Sequence, residues 1–91
     1  MNTVKREVTI INKLGLHARA ATKLAQLSQQ FSASVTIELD GNQADTSSIM
    51  GLMLLAGGQG KQVSVIAQGK DAQQATDSIC QLINEKFEES E

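Results

Sequence analysis

Ninety-one residues with eight Lys or Arg against ten Asp or Glu give a net charge of −2 and enough chain for one domain over residues 1–91. Aromatic content of 2%, without Trp or Tyr, excludes ring platforms for bases or sugars, and no basic cluster exceeds Lys5-Arg6, so no nucleic-acid footprint is expected. No apolar run approaches the ~20 residues that span a bilayer, and "MNTVKREVTI" lacks a signal-peptide core, so a cytoplasmic protein without membrane insertion is expected.

In chain order, "REVTIIN" is β-branched and roughly alternating, which predicts a strand over residues 4–11. "HARAATKLAQLSQQF" has helical spacing, with Ala21, Leu24, Ala25 and Ser28 on one face and Arg19, Lys23, Gln26 and Gln30 on another. "ASVTIEL" alternates again, and "DGNQ" is a turn signal that lets "QAD" complete a hairpin. "SSIMGLMLLA" reads as a short helix stopped by "GGQG", and "KQVSVIAQG" as a fourth strand. "DAQQATDSICQLINEKF" is an amphipathic helix with Asp71 as N-cap and a core stripe of Ala75, Ile79, Leu82, Ile83 and Phe87. Its Cys80, the one cysteine, rules out an intrachain disulfide and reads as an inert buried thiol. The order βαββαβα favours an α+β domain with one sheet and its helices on one face.

The only histidine, His17, stands at the start of the first predicted helix, with Arg19 two residues on. A helix begins with N–H groups that lack intrahelical partners and carry partial positive charge, a ready site for an anion. A phosphoryl group on the imidazole would bring its oxygens to those donors, and Arg19 would add a charge-assisted contact. Gly15 lets the backbone turn sharply before the histidine. Read from spacing alone, a polar helix cap with a solvated arginine beside it fits these residues as well. One histidine and one cysteine without a carboxylate cluster do not supply a metal site, and no cofactor motif is present.

The second helix is almost wholly apolar, so it cannot bury every side. At ~100° per residue, Gly51, Leu52, Leu55 and Ala56 share one arc, expected to pack inward. Ile49, Met50 and Met53 share another, expected to remain as a Met-rich docking surface unless all of them are core. Ser48, after Thr46 and Ser47, is placed to cap this helix.

"GLHARAAT" resembles the active-site signature Gly-Leu-His-Ala-Arg-Pro-Ala of the HPr family, histidine-containing phosphocarriers of the phosphoenolpyruvate-dependent phosphotransferase system (PTS). "SSIMGLM" is similar to that family's regulatory signature Ser-Ile-Met-Gly. The resemblance extends over essentially the whole chain and takes in both the sugar and the nitrogen-regulatory branches. It implies an open-faced β-sandwich with four antiparallel strands in the order 1-4-2-3 and three helices on one face. His17 would be phosphorylated on Nδ1 by phospho-enzyme I and pass the group to an enzyme IIA, with Arg19 steadying it. The protein would then be a carrier and not a stand-alone catalyst. Ser48 would be the serine modified by an HPr kinase/phosphorylase, while Ala20, Lys23, Leu27, Ile49, Met50 and Met53 would meet partners. A monomer is expected, since a carrier must expose one face to alternating partners. Ala20 replaces the usual proline, which gives up some rigidity at the helix start but keeps a good helix former. Leu14 stands where some members carry a polar side chain near the phosphoryl group, leaving Asn12 as the side chain to reach it. The rival readings are a regulatory protein-binding module of the same fold without phosphotransfer, and a ferredoxin-like ligand or metal module.

Overall fold

The computed structural model describes residues 2–88. Strand β1 (Thr3–Thr9) leads through an eight-residue loop to α1 (Ala18–Ser28), followed by β2 (Ser34–Leu39) and β3 (Asn42–Asp45). Helix α2 (Ile49–Leu54), β4 (Gln62–Gln68), α3 (Ala72–Asn84) and a short 3-10 turn, Lys86–Glu88, complete the order. All strand pairs are antiparallel, and β4 lies between β1 and β2 in the order β1-β4-β2-β3. The expected architecture is therefore present, with α1 packed beside α2 and α3.

Alternation explains which side each strand buries. Val35, Ile37 and Leu39 of β2 and Val63, Val65 and Ala67 of β4 point to the helices and are buried. They meet Leu24 of α1, Leu52 of α2 and the α3 stripe Ala75, Ile79, Cys80, Leu82 and Ile83. Burial pushes the Cys80 thiol up, in keeping with a core thiol.

Three elements differ from their sequence-based outline. Strand β1 ends at Thr9, because Ile10 leaves the ladder to bury its side chain and pairs with the loop before β4 instead (Ile10 N–H to Lys61 O, 2.8 Å; Gly60 N–H to Ile10 O, 2.7 Å). Ala56 is exposed with φ 57°, so α2 leaves through a left-handed residue one position before the glycines, and Ala56 does not join the inward arc. Phe87 is fully buried, but it gets there from a run of left-handed residues, Lys86 to Glu88, beyond the end of α3.

Asp71 is the N-cap residue of α3 as expected, its carbonyl accepting the Ala75 N–H at 2.9 Å, but its side chain makes no bond to the first turn. Its carboxylate instead accepts the N–H groups of Ser32 (2.9 Å) and Ala33 (2.7 Å), tying the start of α3 to the entry of β2. The Ser32 N–H first, and then that of Ala33, hold this carboxyl below the usual carboxylate range. A carboxyl depressed by folding adds stability that is complete above its unfolded pKa and fades as pH falls through the lower folded value. Asp71→Asn is therefore expected to unfold more readily than the parent at about pH 7 and to close part of that gap by about pH 3. Urea midpoints at both pH values check this, and an equal gap at both would refute the assignment.

Candidate functional site

The site begins with the loop between β1 and α1. Gly15 has φ +64°, and a Cβ there would lie 2.3 Å from the Gly57 carbonyl oxygen, so only glycine fits both the dihedral and the approach. The next residue, Leu16, buries its side chain and donates its N–H to the same Gly57 oxygen at 2.9 Å. These contacts fix the chain just before His17 against the turn that follows α2.

His17 is the N-cap of α1, with extended backbone (φ −79°, ψ 178°), and its carbonyl accepts the Ala21 N–H at 2.9 Å. The first-turn N–H groups of Ala18, Arg19 and Ala20 precede the reach of the α-helical ladder. The ring is half-buried and makes no cap bond to that turn. It folds back so that Nδ1 lies 3.0 Å from the Gly15 carbonyl oxygen. A carbonyl oxygen only accepts, so Nδ1 carries the proton in this arrangement. The ring therefore sits beside the helix start as expected, but in this state it does not hang over the donors.

Arg19 is exposed on the first turn of α1. Ala20 departs from the expected docking role: it is fully buried, being four residues before Leu24 on the core face. Lys23 is half-buried and committed to the C-terminal turn, its ammonium donating to the Phe87 carbonyl at 2.6 Å and lying 3.5 Å from a Glu88 carboxylate oxygen. Leu27 is partly buried against the core.

Ser48 is the N-cap of α2, its hydroxyl oxygen accepting the Gly51 N–H at 3.0 Å. Ile49, Met50 and Met53 are exposed, and so is Leu54, which at 78% is the most open large apolar side chain of the described residues. At ~100° per residue these four lie on one continuous arc, opposite Leu52 and Leu55. The sequence reading omitted Leu54, although the same rotation places it beside Met50. Leu14, 66% exposed, adds an apolar side chain from the histidine loop. Among the described residues no group of three or more His, Cys, Asp or Glu side chains is placed to hold a metal ion. An open concavity of about 890 Å³ is lined by Asn2, Ser32, Lys70 and Asp71 and by none of the candidate residues, while a smaller one of about 280 Å³ is lined by Lys23 and Leu27 together with Glu88.

Residues 4–85 match the family described as "PTS HPr component phosphorylation site". The chain belongs to the HPr family. It is 48% identical over 90 residues to the phosphocarrier protein NPr of Shewanella violacea, covering 99% of each chain. It is also 48% identical over 88 residues to the phosphocarrier protein HPr of Cupriavidus necator, covering 97% of this chain and 99% of that one. The fold is similar to the crystal structure of HPr-C-His from Thermoanaerobacter tengcongensis, with a TM-score of 0.88, 37% identity and full coverage of both chains. As an HPr-family phosphocarrier it works among the proteins of the PTS, and among its described residues no helix is long and apolar enough to cross a membrane. The HPr fold thus places one accessible imidazole at the start of α1 and an apolar helix face beyond the turn that braces it.

Proposed function

We propose that the chain is a single phosphocarrier domain that takes a phosphoryl group from phospho-enzyme I onto Nδ1 of His17 and yields it to a histidine of an enzyme IIA. What carries this reading is the position of His17: an accessible ring at the N-cap of an eleven-residue helix, beside its first-turn N–H groups. The proton on Nδ1 first moves to Nε2 or to solvent and the ring leaves the Gly15 carbonyl. The freed Nδ1 lone pair then attacks phosphorus as the phosphorus–nitrogen bond to the donor histidine breaks. Exchange between two histidines makes and breaks the same kind of bond, so positioning and charge stabilisation suffice. Arg19 is the charged side chain assigned to steady the transferred group.

Lys23, Leu27, Ile49, Met50 and Met53, together with Leu54, are the surface assigned to enzyme I and enzyme IIA, in a monomer working in the cytoplasm. Ser48 would be the point of control by an HPr kinase/phosphorylase. Phosphate there adds about −1.5 to −2 charges at a helix start, where the fold accepts them, but beside the apolar arc, where a partner would have to desolvate them. Ser48→Asp should keep the fold, since Asp also caps helices, and slow transfer about tenfold or more. Circular dichroism with transfer kinetics checks both, and unchanged kinetics would remove Ser48 from the docking surface.

The deciding experiment is incubation with phosphoenolpyruvate and enzyme I. The expected product is an acid-labile, base-stable phosphate mapped to His17. No uptake would favour a binding module of the same fold that works without phosphotransfer.

A further inference from the structure

We infer that Asn12 is a positioning residue that sets the resting tautomer of His17 through the Gly15 carbonyl. Asn12 lies in the histidine loop and is fully buried, so it does not extend to the phosphoryl position as the sequence suggested. Its side-chain amide donates from Nδ2 to the Gly15 carbonyl oxygen at 2.9 Å. His17 Nδ1 meets that same oxygen at 3.0 Å. One carbonyl thus accepts two side-chain donors, using both of its lone pairs.

The direction of that carbonyl decides which ring nitrogen holds the proton, because the hydrogen bond made by one nitrogen fixes the state of the other. Gly15 alone does not fix it: a left-handed glycine has wide conformational freedom. The Gly57 oxygen limits the loop from one side by close approach to Gly15 and by accepting the Leu16 N–H. Asn12 supplies the restraint from within, and the turn is closed by its own carbonyl accepting the Gly15 N–H at 3.3 Å. With the carbonyl so aimed, the neutral ring keeps its proton on Nδ1 and its lone pair on Nε2. The inference rests on His17 being the phosphoryl acceptor. It adds that the resting ring is held with the accepting nitrogen blocked, so accepting a phosphoryl group at Nδ1 begins by breaking the contact that Asn12 supports.

The test uses the unphosphorylated full chain with ¹⁵N-labelled histidine, and long-range proton–nitrogen correlation spectra at a pH where the ring is neutral. The expected spectrum has Nδ1 as the protonated nitrogen. A dominant Nε2–H ring in the parent protein overturns the inference before any variant is made. Asn12→Leu keeps similar bulk and removes the donor. Its ratio of Nδ1–H to Nε2–H forms should fall about two- to tenfold, the equivalent of one hydrogen bond's restraint. Thr46→Val removes another buried hydrogen bond, to Val35 O at the β2–β3 end, and should leave the ratio unchanged. An unchanged ratio in folded Asn12→Leu, or an equal shift in Thr46→Val, overturns the inference whatever happens to stability. Should Asn12→Leu not fold, Asn12→Ala, which removes the donor without placing apolar bulk against the loop, is read in the same way. These readings need no phosphoryl donor: a tautomer ratio that falls in Asn12→Leu of a protein that takes up no phosphate would keep the positioning role of Asn12 and reject the carrier function.

Discussion

His17→Ala is expected to take up no phosphate from phosphoenolpyruvate and enzyme I while remaining folded. The chain holds no second imidazole, so no other side chain can form the histidine-type phosphoramidate. The ring is half-buried at a helix cap, and losing its contact with the Gly15 carbonyl is expected to cost about 1 kcal/mol of stability, which the fold tolerates. Arg19→Ala is the informative companion. Arg19 is exposed, and one charge-assisted hydrogen bond is worth about 1.5–3 kcal/mol, so transfer should slow about 10- to 150-fold without being abolished. Phosphate uptake by His17→Ala would reject the site outright, and an unaffected Arg19→Ala would remove the arginine from it.

Gly15→Ala should damage fold and site together. The left-handed dihedral costs a non-glycine residue about 1–2 kcal/mol, and the new Cβ would stand 2.3 Å from the Gly57 oxygen. Neither partner is a side-chain end that can swing away, so the loop has to move and the Leu16–Gly57 hydrogen bond goes with it. A loss of about 3 kcal/mol or more is expected. In a domain of this size that lowers the thermal midpoint by at least about 12 °C. Gly58→Ala is the control, since a Cβ there meets nothing within 4 Å. A Gly15→Ala protein melting within a few degrees of the parent would mean that the strap between the two loops is not rigid.

Where local pattern decides structure, the sequence was easy to read. Strand β4 alternates cleanly because the helices cover one face only, and the α1 stripe follows helical rotation. The two signature stretches, centred on His17 and Ser48, carry the family resemblance in residue type and spacing alone. What escaped was set by contacts across the fold. The Asp71 pattern marks a helix start, yet its carboxylate serves Ser32 and Ala33, nearly forty residues upstream. Ala20 was given a docking role by resemblance, whereas its spacing from Leu24 already placed it in the core. Leu54 was missed for want of carrying the rotation one residue further. That Asn12 faces inward to a backbone carbonyl has no local signature, because an exposed loop asparagine looks the same.

The place of β4 in the sheet has a consequence for biosynthesis. Strand β1 has β4 as its partner in the ladder, and the histidine loop is braced by Gly57 and Gly60 just ahead of that strand. On the ribosome, the first half of the chain therefore emerges with β1 unpaired and the imidazole unplaced. Neither the sheet nor the brace behind the acceptor can be completed before Gln68 has cleared the exit tunnel. A nascent chain stalled before that point would carry the histidine without the framework that makes it useful.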